Sequence, residues 1–306
     1  MKPIEMDALV GTNPLGFLAA LGVLYSADMQ TREGAPVPRL SWTDDVEPRA
    51  VLWGVENEDD LLDRLEAERD AVACCAALNW PPGKPLPTAK PTPEVLRQWA
   101  AACYKDPDPR SASVFNSLVA EGAHSGKGEA KPTHLDFTAG QQRLLLMVRQ
   151  LAHAANRERL YEALTGWIAT AEHPSLSFDS ADERLYALRA VDPSGDKKTA
   201  APGANWLAFL GTALLPVVNS TGALQTTGCA RPWKRSSLEW LLPTQPVNRP
   251  VLEALMRGGA SYLPDSRKVS AAIRRTDQGG YGSFSGVVIG SRDSREVSNN
   301  PLIRMP

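Results

Sequence analysis

The chain has 306 residues, of which 43 % are hydrophobic and 22 % are charged, and its net charge is −2. This balance is typical of a globular protein that can bury a sizeable core in one large domain or two ordinary ones. A net charge so close to zero by itself indicates no class of partner.

The first predicted elements are a strand, a turn and a buried helix. Residues 4–10 can pair as a strand, and Asn13 is a good N-cap for a helix whose first position is Pro14. The run that follows is apolar nearly all round, which predicts a helix with Leu18 and Leu21 in the core. It is about 14 residues long, whereas a membrane span needs about 20, and acidic residues precede it where an export signal would be positively charged. We therefore expect a cytoplasmic protein with no membrane contact.

Further along the chain, short strands alternate with helices. Helical spacing or good helix-start signals predict helices over residues 56–78, 93–104, 144–151, 160–168, 205–215 and 250–256. Strands are expected over 39–44, 50–55 and 238–242, in a hairpin formed by 175–179 and 184–192, and in a final hairpin around the glycine-rich turn of residues 268–290. The small, polar residues 121–132 are expected to form a flexible loop.

These elements predict an α+β fold, mostly helical, with short mixed or antiparallel strands and a C-terminal β-hairpin. The organisation that we expect has four parts. They are an N-terminal α/β part with an acidic surface (1–78), a proline-rich loop (79–93), a mainly helical middle with a β-hairpin near 175–192 (94–227), and a basic C-terminal part (228–306).

Signatures of catalysis and of metal binding are weak in this sequence. The four cysteines lack Cys-x-x-Cys spacing, so buried or incidental thiols in a reducing compartment are expected rather than a zinc site. No phosphate loop of the Gly-x-x-x-x-Gly-Lys-Ser/Thr type occurs. The segment GGYGSFSG is not followed by a predicted helix, as a dinucleotide fingerprint or a nucleophile elbow would require. We therefore expect no enzyme activity, no metal and no cofactor, although folding could still bring together carboxylates such as Asp136 and Asp179.

The distribution of charge is the most informative feature of the composition. Residues 1–70 hold 6 Lys and Arg against 15 Asp and Glu, whereas residues 228–306 hold 12 against 6. Basic residues interleaved with aromatic ones are typical of surfaces that bind phosphates and stack on bases. The predicted nucleic-acid-binding residues are Arg231, Trp233, Lys234, Arg235, Arg267, Lys268, Arg274, Arg275, Tyr281 and Phe284. The alternative is a solvated basic loop whose aromatic side chains pack inward.

Amides could read base edges in the same half of the chain. The candidates are Asn205, Gln225, Asn248 and Gln278. Taken singly, each is better explained as an amide whose hydrogen bonds go to the backbone.

Five segments, in order, resemble a CRISPR-associated family found with subtype I-G (formerly I-U) interference modules. They are DALVGTNPLGFLAALGVL, LDFTAGQQRLLLMVRQLA, RLYALRAVDPSGD, GANWLAFLGTALLPVV and RTDQGGYGSFSG. The family looks like the large subunit of the Cascade effector, a non-catalytic class of subunit.

The resemblance implies a subunit that contacts guide RNA and target DNA together with other Cascade subunits. Such a subunit assists recognition of the motif beside the target and recruitment of a helicase-nuclease. In such complexes base pairing reads the sequence, while the protein reads backbone shape and a short flanking motif. A stand-alone metal-dependent enzyme of the nuclease type and a scaffold that binds only protein remain the alternatives.

Overall fold

The computed structural model describes residues 2–180, 199–230, 233–258, 266–275 and 282–290, with the side chain of Lys234 left out. Within these residues the fold is α+β, with small antiparallel sheets and a C-terminal strand pair, as the sequence predicts.

The helices are α1 (Pro14–Met29), α2 (Glu58–Cys74), α3 (Ala76–Asn79), α4 (Pro93–Lys105), α5 (Pro109–Leu118), α6 (Leu144–Ala154), α7 (Arg157–Thr165), α8 (Pro202–Thr212) and α9 (Arg249–Gly258). The strands are β1 (Ile4–Val10), β2 (Arg39–Trp42), β3 (Arg49–Trp53), β4 (Val119–His124), β5 (Ala130–Pro132), β6 (Val217–Ser220), β7 (Ala223–Thr226), β8 (Ser237–Leu242), β9 (Val247–Asn248), β10 (Arg267–Arg275) and β11 (Gly282–Ile289). The sheets have the strand orders β1-β3-β2-β9, β11-β10-β8, β4-β5 and β6-β7.

The opening segment forms the strand, turn and core helix that the sequence predicts. The side chain of Asn13 accepts a hydrogen bond from the Leu15 backbone N–H at 2.9 Å, and Pro14 is the first residue of α1. Leu18 and Leu21 are fully buried, which confirms their predicted place in the core. Gly22 of α1 packs directly against the backbone of α8, so close that an added methyl group would overlap the carbonyl oxygen of Leu207.

The N-terminal and C-terminal parts of the chain share one core. Phe17 of α1 stacks between Trp42 of β2 and Trp240 of β8, with ring centroids 5.9 and 5.0 Å apart. The indole N–H of Trp240 donates to the Gly11 carbonyl oxygen at 2.9 Å. One cluster of buried residues includes all three rings and extends to β11, so the basic C-terminal part packs on the acidic N-terminal part.

Several predicted elements differ from the structure, and specific contacts explain the differences. The helix predicted over residues 56–78 is interrupted at Cys75, whose backbone is extended, and the next N–H, that of Ala76, donates to the Ser111 hydroxyl oxygen at 2.9 Å. Residues 121–132 are not a flexible loop, because most of them belong to the β4–β5 hairpin. A turn with Gly128 at positive φ closes this hairpin, and Ala123 packs against the β6–β7 pair.

The predicted strand over residues 175–179 is also corrected. Its proposed partner, residues 184–192, lies outside the described residues. Residues 175–178 are buried but not paired as a strand. The backbone N–H of Leu176 donates to the Asn205 side chain at 2.9 Å, and Ser177 has a φ of 60°, which breaks an extended run.

None of the helices in the described part of the chain is both long enough and apolar enough to cross a membrane.

Candidate nucleic-acid interface

The basic residues of the last third lie on or beside the β11-β10-β8 sheet. Along β10, Val269 and Ile273 are buried, whereas Lys268 and Arg274 are exposed. Side chains alternate between the two faces of a strand, so even-numbered positions of β10 point outward and odd-numbered positions point to the core. Neighbouring Arg274 and Arg275 therefore lie on opposite faces of the sheet.

Arg275 is held by groups of the protein itself. Its Nη1 donates to the Asp136 carbonyl oxygen at 2.9 Å, and its Nη2 donates to the His134 carbonyl oxygen at 2.7 Å. The guanidinium carbon lies 4.0 Å from the ring centroid of Trp233 and 5.4 Å from that of Phe137. Burial lowers the pKa of Arg275 to about 10, and the nearby Asp136 charge acts in the opposite direction. The prediction that Arg275 contacts phosphate is therefore corrected, because the hydrogen bonds of this side chain connect β10 to the segment before α6.

The two described aromatic candidates differ in how much ring surface they leave open. Phe284 is fully buried, with its ring centroid 5.1 Å from that of Phe137 and 6.2 Å from that of Phe178. It has no face for a nucleic-acid base, so its predicted stacking role is corrected to a core role. Trp233, in the 3₁₀ turn of residues 233–235, is half-buried and stacks on the Arg275 guanidinium.

Basic side chains at the start of β10 face carboxylates. The Lys268 ammonium lies 2.8 Å from a carboxylate oxygen of Glu239 on β8, with both side chains nearly half exposed. Arg267 lies 3.9 Å from the Asp44 carboxylate and donates to the Val46 carbonyl oxygen at 3.4 Å. A phosphate at this end of the strand would have to compete with both carboxylates.

The other end of β10 carries more exposed positive charge. Arg274 is exposed and pairs in register with Ser283, close to where β10 ends and β11 begins. Arg235 is also exposed, and the carbonyl of its neighbour Ser236 accepts a hydrogen bond from the Ile273 N–H at 2.8 Å. The fold thus brings Arg235 and Arg274 to one end of the sheet. Arg231, Tyr281 and the side chain of Lys234 lie outside what the structure describes.

A buried polar cluster supports this end of the sheet, and the sequence reasoning did not assign it. Asp136 is 1 % exposed, and one carboxylate oxygen accepts from the Thr138 N–H at 2.9 Å and from its hydroxyl at 2.5 Å. The other oxygen lies 3.5 Å from the Lys90 ammonium. These contacts fix the turn whose carbonyls bind Arg275. The Asp-x-Thr spacing, typical of an Asx turn, was the only signal of this cluster in the sequence.

The described amides hydrogen-bond to the backbone. Buried Asn205 accepts from the Leu176 N–H and donates to the Ala201 carbonyl oxygen. Gln225 donates to the Cys229 carbonyl oxygen at 3.1 Å, and Asn248 accepts from a backbone N–H at the start of α9. Gln278 lies outside the described residues. The described amides thus have the backbone partners that the sequence favoured.

The Cys229 thiol is buried beside β8 of this sheet. Burial raises the pKa of Cys229, next to the sheet, to about 12, so that this thiol is protonated at neutral pH. Among the described residues, no group of three or more His, Cys, Asp or Glu side chains is placed to hold a metal ion. No family model, curated protein or solved structure matches this chain.

Proposed function

We propose that the chain is a nucleic-acid-binding, non-catalytic subunit of a Cascade-like CRISPR interference complex of subtype I-G. In this role it contacts guide RNA and target DNA in the cytoplasm, assists recognition of the motif beside the target, and helps to recruit the helicase-nuclease. Two lines of reasoning support the proposal: the ordered resemblance of five segments, and the cations exposed at one end of the β11-β10-β8 sheet.

The observation that carries the binding role is the position of Arg235 and Arg274. Both side chains are exposed at the same end of the sheet, beside the half-buried Trp233 ring. Arginines there can neutralise phosphates, and the tryptophan edge can contact a base. The half-buried Arg275 contributes indirectly, because it stacks on Trp233 and so holds β10, which carries Arg274, beside the turn that carries Trp233 and Arg235.

The deciding experiment measures binding of single-stranded RNA and of duplex DNA to the purified chain over a salt series. Each phosphate contact contributes a slope of roughly 0.7 to 0.9 in a plot of log affinity against log salt. The double variant Arg235→Ala, Arg274→Ala should therefore flatten the slope by about two. Arg32→Ala, an exposed arginine after α1, is the matched control and should leave the slope unchanged.

The same strand supplies a graded control. Lys268 lies on the same face of β10 as Arg274 and faces the Glu239 carboxylate at 2.8 Å, so Lys268→Ala should change the slope by less than one full phosphate contact. An unchanged slope in the double variant would refute the interface and favour the protein-only scaffold. Cleavage by the chain alone in the presence of a divalent metal would favour the enzyme.

A further inference from the structure

A groove on another part of the surface lies between the proline-rich loop, α4 and α6. It is a surface furrow of about 590 Å³, within the range of natural ligand sites. Its apolar lining includes Trp80, Pro81, Pro85 and Leu146. Leu146 is 43 % exposed, so its side chain is open to a ligand, whereas most other apolar residues of α6 are buried. We call this furrow the proline groove.

The walls of the proline groove are fixed by hydrogen bonds within the chain. The Leu86 N–H donates to the Trp80 carbonyl oxygen at 2.9 Å, which closes the loop on itself. Nη1 of Arg149 on α6 donates to the carbonyl oxygens of Leu78 and Leu86 at 2.8 and 3.1 Å. The Leu145 N–H, at the start of α6, donates to the Pro87 carbonyl oxygen at 3.0 Å. Because the groove is formed before any ligand arrives, a ligand need not induce it, and binding costs less ordering entropy.

The charge that lines the proline groove is positive. Lys84, on the loop, is exposed, and Arg149, on α6, is half-buried where α6 contacts the loop. Neither cation has a carboxylate partner within the described residues, and only Nη1 of Arg149 makes hydrogen bonds there. No acidic side chain is among the described residues that line the groove. An apolar furrow with two unpaired cations complements a ligand that combines an apolar group with a carboxylate.

We propose that the proline groove binds an extended acidic segment of a partner protein, with an apolar side chain seated on Trp80 and Leu146 and a neighbouring carboxylate meeting Lys84 and Arg149. A peptide fits the furrow better than a nucleic acid does, because proline and leucine walls make favourable contacts with apolar side chains and not with phosphates. The planar Arg149 guanidinium, already oriented by two carbonyls, can present its remaining N–H groups to a carboxylate. The inference is independent of the nucleic-acid interface, since it uses a different surface and a partner of opposite chemistry.

The test uses the full chain and fluorescence anisotropy of labelled hexapeptides. The first peptide carries one phenylalanine flanked by glutamates, the second replaces the glutamates with lysines, and the third replaces the phenylalanine with alanine. The first should bind more tightly than either of the others and should weaken as salt is added. Lys84→Glu should weaken the first peptide about fivefold, since exposed ion pairs contribute modestly and reversal adds repulsion. Leu146→Asp should weaken it about tenfold through lost apolar contact.

The matched control is Lys127→Glu, an exposed lysine in the β4–β5 turn, which should bind the first peptide as the unchanged protein does. Thermal unfolding of each variant shows whether the fold is kept, and Lys84 is exposed enough for its variant to fold. Equal binding of the acidic and basic peptides would overturn the proposal. So would unchanged affinity in folded Lys84→Glu, or displacement of the peptide by an oligonucleotide whose own binding depends on Lys84.

Discussion

Replacing Arg275 separates a structural role from a nucleic-acid contact. Its guanidinium makes two hydrogen bonds to carbonyl oxygens and stacks on Trp233. Hydrogen bonds from a charged donor contribute about 1.5–3 kcal/mol each, and a cation–π contact adds about 0.5–2 kcal/mol. The cost of burying the cation offsets part of this sum. We therefore expect Arg275→Ala to lower the free energy of unfolding by about 3–5 kcal/mol.

Arg274→Ala is the matched comparison, because Arg274 is the next residue but lies on the exposed face. We expect it to cost less than about 1 kcal/mol in stability and to flatten the salt slope of binding by about one. Urea unfolding followed by tryptophan fluorescence measures the first quantity, and anisotropy over a salt series measures the second. Arg275→Lys keeps the charge but not the forked geometry, so it should recover only part of the lost stability.

The reasoning about Arg275 would be refuted if Arg275→Ala left the free energy of unfolding unchanged but flattened the salt slope of binding by about one, the amount expected for one phosphate contact. In that case the inward orientation of the side chain would not hold in solution. A folded Arg275→Ala protein with an unchanged slope and reduced stability is the outcome that the geometry requires.

Three further predictions concern the core. Arg110→Ala should lower the free energy of unfolding by about 3–5 kcal/mol, measured by urea unfolding, because it leaves the buried carboxylate of Glu68 without the cation 2.7 Å away. At pH 8 a thiol reagent should modify Cys74, the exposed cysteine, rapidly and the other three slowly, since burial raises the pKa values of those three to about 11–12. The stability that these neutral thiols contribute is present below about pH 9 and is lost as pH rises through about 11–12. Gly22→Ala should lower the melting temperature and cost about 2 kcal/mol or more, because overlap with the α8 backbone outweighs the better helix propensity of alanine, whereas Gly126→Ala, in open space, should be nearly neutral.

Local signals in the sequence were sufficient to predict helices whose first turn contains a capping residue and a proline. Asn13 before Pro14 predicted the start of α1 because cap and proline act within one turn. The same signal at Asp108 and Pro109 begins α5, where the Asp108 side chain accepts from the Arg110 N–H at 3.0 Å, and the sequence reading missed it. That helix could have been found from the sequence.

Other features depend on partners that are distant along the chain. The break between α2 and α3 depends on Ser111, whose hydroxyl accepts from the Ala76 N–H. The irregular backbone at Leu176 depends on Asn205. In the candidate interface, the positions of basic residues were visible in the sequence, but their partners were not. Alternation along β10 could have separated Arg274 from Arg275, whereas the carbonyls that hold Arg275 come from a segment more than a hundred residues earlier.

Counting charges overstates how much positive surface the last third offers to a phosphate. Arg249 pairs with Asp28 and Glu253, while Lys268 pairs with Glu239. Each pair brings a carboxylate beside the cation, which reduces the number of counterions that a nucleic acid would release there. Among the described residues, Arg249 therefore links the C-terminal part to the acidic N-terminal part, and Lys268 links two strands of the C-terminal sheet. Arg235 and Arg274 are exposed at the other end of the sheet, and Arg274 lies roughly 20 Å along β10 from Lys268 at about 3.3 Å per residue. A nucleic acid bound by this protein should accordingly cross that end of the sheet rather than follow the length of β10.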